Sequence, residues 1–296
     1  MSSAQSDRRT FLARLGVLGA VAGTSLVVPA PASAAVLGPP PGQRALDELA
    51  RRILDELTRD TFHAVGAFVV PGTDAYSRAQ GTPRTEPGAI QARTPAYLID
   101  FFDNYVPVPD ELIRGICAAL ADGFADVPIQ LPSGLPVLVP GVLEALDDAV
   151  RLVLRGPTAL PLSLVIALLL NLIATLVNPA STHGAFVSPF ARLSAGEKAV
   201  VVSLLEGPDL PPVAAIDAAL PEPLRGSVSG LVRFLAGSML ELGAFGTYSE
   251  WSTFDERTRS VRGRPIGWDI SRFDPGVLDG WHDFIGYYQG RKEVSA

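Results

Sequence analysis

The chain of 296 residues holds one cysteine, Cys117, and three histidines. One cysteine excludes any intrachain disulfide. It sits in the apolar run LIRGICAAL, where a free thiol packs as a small hydrophobe. Three histidines and one cysteine offer no metal-ligand spacing of the familiar kinds. Also absent are G-x-G-x-x-G, G-x-x-x-x-G-K, H-E-x-x-H, G-x-S-x-G and C-x-x-C. No recognisable nucleotide, metal, hydrolase or dithiol site therefore lies in the sequence. Alternating strand patterns of useful length are missing too, which excludes a doubly wound nucleotide-binding sheet. Charged residues make up 19% and aromatics 7% of the chain. The net charge is −7, and residues 1–34 carry Arg8, Arg9 and Arg14 against Asp7, so the remainder stands at −9. An acidic body lacks the basic surface that a nucleic-acid binder needs.

What is present is aliphatic. The hydrophobic fraction is 48%, with 28 glycines and 26 prolines, so helices broken by many turns are expected. Residues 1–34 read as a cleaved signal peptide. Arg8-Arg9 stand before Thr10-Phe11-Leu12, Leu15–Val28 is free of charge, and Ala32-Ser33-Ala34 is an A-x-A cleavage site. This order resembles a twin-arginine leader and predicts export of a folded chain to the periplasm, cell envelope or exterior. Ala13 stands where the usual lysine follows Phe-Leu. Residues 35–42, including LGPPPG, form a stiff spacer.

Residues 43–243 read as a helical domain. Leu46, Leu49, Ile53 and Leu57 recur at helical spacing opposite Arg51, Arg52, Asp55 and Arg59. The stretch 69–89 has no apolar period and is punctuated by Pro71-Gly72 and Pro87-Gly88, which predicts a long loop. Thr94 and Pro95 predict an N-cap and first helical position. Further helices are expected over 109–124, 140–155 and 224–245, the first with Asp110 and Glu111 favourably placed in its first turn. Ser194 and Glu197 spell a capping box. Gly156–Thr182 is 27 residues without a charge. Its centre, 158–177, satisfies two readings: the buried helix at the middle of a bundle, or a helix associated with a membrane or partner. The expected fold is all-α, an irregular bundle around that central apolar helix.

Several short stretches resemble one family. Val70-Pro71-Gly72-Thr73-Asp74, Glu86-Pro87-Gly88-Ala89, Ile99-Asp100-Phe101, Phe190-Ala191-Arg192-Leu193-Ser194 with Glu197, and Gly246-x-Tyr248 look like gluconate 2-dehydrogenase subunit 3 and its relatives. The resemblance covers roughly residues 45–105 and 186–250, in pieces. It implies a helical, exported, non-catalytic small subunit. Its partner would be a flavin dehydrogenase of the glucose-methanol-choline class, with FAD in the partner and no cofactor of its own. The twin-arginine leader would then serve the whole complex. The middle apolar block and the long tail depart from the family pattern.

That tail, 244–296, is an aromatic extension expected to pack on the helical domain. Ala244–Arg291 holds ten of the 22 aromatic residues, including all three tryptophans, interleaved with arginines. Such residues dominate binding hot spots. Trp251, Arg264, Trp268 and Trp281 are the candidate partner contacts. Two other readings compete: a stand-alone secreted or cell-envelope binding or structural protein, and an enzyme whose polar pocket brings at least two of His63, His183 and His282 together with a carboxylate.

Overall fold

The computed structural model describes residues 43–123, 148–207 except 149, 151 and 157, and 213–273 except 215, 216, 219, 221 and 224. The leader, the spacer, the connector after 123 and the tail beyond 273, with Trp281 and His282, lie outside the described residues.

The fold is all-α. Helix α1, Gln43–Val69, is amphipathic. Ile53, Leu54, Leu57, Phe62 and Val65 are buried, while Arg51, Arg52, Asp55, Glu56 and Arg59 stay in solvent. The loop after it contains a short helix α2, Ala75–Ala79, capped by the Asp74 carboxylate accepting from Ser77 N at 2.7 Å. The loop closes on itself at two glycines. A Cβ on Gly88 would stand 2.5 Å from the Val70 carbonyl oxygen, and one on Gly72 would stand 2.5 Å from Gly88 N. The missing periodicity of 69–89 thus reflects a turn structure built on backbone contact.

Helix α3, Thr94–Asn104, departs from expectation at its start. Arg93 is the N-cap, in the left-handed region at φ 56°, and makes no side-chain cap. The Thr94 hydroxyl instead meets the Thr247 hydroxyl at 2.8 Å. Tertiary pairing has taken the side chain that local sequence assigns to capping. Helix α4, Asp110–Gly123, carries the buried Cys117. Of the helix expected over 140–155, the described part shows helical residues between 148 and 154, with Val150, Val153 and Leu154 buried.

Helix α5, Leu162–Val177, is the centre. Every residue from Leu162 to Thr175 is buried, and α1, α3, α4 and α6 (Ala195–Glu206) pack around it. Its one amide is fully used: Asn171 donates to Thr61 Oγ1 at 2.9 Å and to the Ala167 carbonyl at 2.7 Å, and accepts from Phe190 N at 2.9 Å. This is how a buried polar group avoids its desolvation penalty. The capping box of Ser194 and Glu197 opens α6 as the sequence predicts.

Helix α7, Val228–Tyr248, packs against α1, α3 and α6. It runs through the expected domain boundary at 243/244, so the extension begins after Tyr248. Both α5 and α7 lack a cap of their own. Asp103 of α3 accepts from Ser163 N and Oγ at 2.8 and 2.9 Å at the start of α5. Asp217 accepts from Val228 N at 2.7 Å and Ser229 N at 3.1 Å at the start of α7. Each carboxylate satisfies orphan N–H groups and complements the helix dipole from a distant segment.

After α7 the chain forms a two-residue hairpin, β1 (Phe254–Asp255) antiparallel to β2 (Ser260–Val261), and a short helix α8, Ile266–Ser271. Helix α8 lies on the end of α7 so closely that a Cβ on Gly267 would stand 2.3 Å from the Tyr248 carbonyl oxygen.

Candidate functional site

Helix α3 and its C-cap carry Tyr97, Phe101 and Tyr105 four residues apart, a spacing that places them along one face. The rings form a row: Tyr97 to Phe101 at 6.0 Å, then Phe101 stacked on Tyr105 at 6.0 Å. Trp251 meets Tyr97 edge-on at 5.4 Å, and Phe245 of α7 meets it at 6.2 Å. The row is anchored at its middle. Phe101 touches Phe102 at 5.9 Å, Phe102 touches Phe62 at 6.0 Å, and both Phe62 and Phe102 are fully buried. Both ends are in solvent, with Tyr105 66% exposed beyond Phe101 and Phe245 61% exposed beyond the buried Tyr97. Gly246 makes room for the row, because a Cβ there would stand 2.4 Å from Tyr97 Cδ1.

Arg93 completes this surface. Its guanidinium lies over the Trp251 ring at 6.0 Å. Its left-handed backbone is uncommon for a side chain of that size. Arginine over an aromatic face, beside exposed tyrosine and phenylalanine, has the composition of an interface centre.

The sequence-predicted contacts divide. Trp251 is half-buried at the middle of this surface and packs on the core. Trp268 and Arg264 stand in a separate clasp that folds the extension onto itself. Trp268 Nε1 donates to Glu250 Oε1 at 2.8 Å, and its ring meets Phe273 edge-on at 5.4 Å. Arg264 lies over Trp268 at 5.9 Å, pairs with Asp269 at 2.6 Å and donates to the Phe273 carbonyl at 2.9 Å. These groups hold the extension together. Tyr97, Phe101, Tyr105, Arg93 and Phe245 were missed by sequence reading. The four-residue aromatic spacing in α3 was the available signal.

A second cluster is polar and enclosed. Asp60 of α1 accepts from the Tyr76 hydroxyl at 2.7 Å and from Ser188 N at 2.7 Å. Burial, reinforced by Asp60, raises the Tyr76 pKa far above the phenol range. Arg192 donates to the Phe186 carbonyl at 2.8 Å and to the Ser181 carbonyl at 3.0 Å, and burial pushes its pKa down to about 10. Lys198 is 3% exposed, bonds to Gln80 Oε1 and lies 5.8 Å from the Phe190 ring. Burial pushes its pKa down to about 8, against the pull of Asp60 and Glu197. Gln80 in turn donates to the Ala191 carbonyl at 2.7 Å. This network ties α1 and the 70–93 loop to the segment 181–198.

The stretches of the family resemblance therefore have local structural work. Asp74 caps α2, Gly72 and Gly88 close the loop, Arg192 gathers carbonyls, and Gly246 admits Tyr97. Of the histidines, His63 donates from Nδ1 to the Arg59 carbonyl at 2.7 Å and its ring lies 5.5 Å from Tyr76. His183 Nδ1 meets the Thr182 hydroxyl at 2.6 Å. Among the described residues, no three His, Cys, Asp or Glu side chains converge as metal ligands would. Of the apolar run 158–177, Leu162 to Thr175 is enclosed by protein, while Thr158, Pro161 and Leu176 are exposed. Among the described residues, the helix long and apolar enough to cross a membrane is α7, which buries about a third of its most apolar stretch.

Comparison with known proteins returns no match: no family model fits the chain, and neither a curated protein nor a solved structure resembles it. The family reading rests on the short stretches named above.

Proposed function

We propose that this protein is an exported accessory subunit that binds a flavin dehydrogenase and carries no catalysis of its own. The observation that carries the reading is the aromatic surface of Tyr105, Phe101, Tyr97, Trp251 and Phe245 with Arg93 over its edge. It is anchored in the core through Phe101 and faces solvent at Tyr105 and Phe245. An exposed apolar cluster of this kind on a soluble domain marks an interaction site. The twin-arginine leader supports the same reading, since that route moves folded complexes. So does the resemblance to the small subunit of gluconate 2-dehydrogenase.

The role of the protein is then to bind and escort. Redox chemistry resides in the partner, where FAD supplies hydride acceptance. Trp251 and Tyr105 present the contact, and the Asn171 network fixes the central helix of the frame. The test is affinity purification of the tagged protein from its own host, followed by an absorbance scan. A stoichiometric flavoprotein in the eluate supports the reading. A protein that elutes alone, without flavin, supports a stand-alone envelope protein and refutes it.

A further inference from the structure

Helix α7 has a second face that no described element covers. Val228, Val232, Leu235 and Met239 turn inward and are buried. On the opposite side Gly230, Arg233, Phe234, Glu241 and Tyr248 are exposed, and Phe234 is 56% accessible. Gly237 lies at the middle of this face, and among the described residues nothing stands within 4 Å of a Cβ placed on it. The helix is 21 residues long, so the face runs ~30 Å.

The residues on it are arranged symmetrically about Gly237. Arg233 precedes it by four positions and Glu241 follows it by four. Gly230 precedes it by seven and Ala244 follows by seven, while Phe234 and Leu240 are each three away. Two copies of α7 laid antiparallel, crossing at Gly237, bring Arg233 of each to the height of Glu241 of the other, ~6 Å from the crossing. A parallel arrangement sets Arg233 against Arg233 and Glu241 against Glu241, which repels. The small residue at the crossing allows close approach, and antiparallel dipoles add to the attraction. Two-fold pairing is also the commonest symmetry for identical chains, because one self-complementary patch suffices. A lipid surface fits less well, since Arg233 and Glu241 are charges on the face itself.

We infer that the exposed face of α7 is the contact for a second copy of this chain, an antiparallel two-fold dimer centred on Gly237. The inference does not depend on a flavin partner. A dimer without flavin and a flavin complex built on a monomer are different outcomes.

The test uses the protein as its host produces it. Sedimentation equilibrium should show a monomer–dimer equilibrium. Gly237→Cys should form a disulfide-linked dimer on mild oxidation, because position 237 meets itself at the two-fold. Gly230→Cys should not, because it faces Ala244. Native Cys117 is 1% exposed and does not interfere. Glu241→Arg should weaken the dimer about tenfold or more, since two attractive pairs become repulsive. Adding Arg233→Glu to that variant should restore the affinity. Both residues are exposed, so circular dichroism at concentrations below the dimer range should stay unchanged and report intact folding. A monomer at all accessible concentrations overturns the inference. So does a dimer indifferent to charge reversal, or cross-linking at 230 as efficient as at 237.

Discussion

Lys198 offers the most quantitative test of the structure. It is 3% exposed, and burial lowers its pKa from 10.5 to about 8. A lysine whose folded pKa is depressed penalises the fold when charged. The penalty is fully present below pH 8, shrinks between 8 and 10.5, and is gone once the unfolded chain also loses the proton. From the two pKa values the full penalty is about 3 kcal/mol. Lys198→Met keeps much of the volume and removes the charge, but strands the Gln80 carbonyl oxygen, a loss of about 1–3 kcal/mol. The variant should therefore match or exceed the parent in stability at pH 7 by about 1 kcal/mol. As pH rises towards 10.5 the parent should gain on it by about 3 kcal/mol. The comparison must be parent against variant at each pH. Cys117, raised by burial to about 12, acts in the opposite direction above its ordinary range in both proteins, so the difference cancels it. Urea titrations at pH 7, 8, 9 and 10 supply the measurement. Parallel curves for the two proteins, with a constant gap at every pH, refute the claim that Lys198 is held buried and charged.

Three further outcomes follow from the same contacts. Gly246→Val should lose about 1–3 kcal/mol, read as a lower thermal midpoint, because its side chain meets the Tyr97 ring at 2.4 Å. Asp217→Ala should cost about 1–2 kcal/mol by uncapping α7. Burial raises the Asp217 pKa, but the bonds from Ser229 and Val228 outweigh it and hold the carboxyl below its ordinary range. Its stabilisation is thus present above that range and is lost as pH falls through the folded pKa, so parent and variant should converge in acid melts. Replacing Arg8 and Arg9 by lysine should abolish export, measured as mature protein outside the cytoplasm; undiminished export removes the folded-transport argument.

Much of the frame was readable in advance, and the reasons are local. A charge-free run bounded by turns could only be an enclosed helix or a membrane element, and α5 is enclosed. Ser194 and Glu197 signal α6 because both partners lie within one turn. Cys117 reads as buried from its apolar neighbours. What stayed hidden depends on residues far apart. Nothing near Pro161 or Ser227 announces that Asp103 and Asp217 will cap α5 and α7. Thr94 carries the local signature of a cap yet bonds to Thr247 across the bundle. The contact surface was only half legible. Trp251 stood out by its residue type. Tyr105 and Arg93 did not, because their exposure is set by how α3 packs on α5 and α7. Conversely, Arg264 and Trp268 have hot-spot chemistry but use it on each other and on Asp269, Glu250 and Phe273. Composition identifies such residues without telling inward from outward use.

The central claim is that the aromatic surface binds a flavoprotein, and one paired measurement reaches it directly. Tyr105→Ala and the parent protein are purified in parallel from the host, and the bound flavin is quantified against chain concentration. Tyr105 is 66% exposed, so its loss should leave the thermal midpoint nearly unchanged. Truncating an anchor at an interface centre costs about 2 kcal/mol, which is roughly 30-fold in affinity. The account predicts near-stoichiometric flavin with the parent and a large loss with the equally stable variant. Equal flavin in both, or none in either, contradicts it.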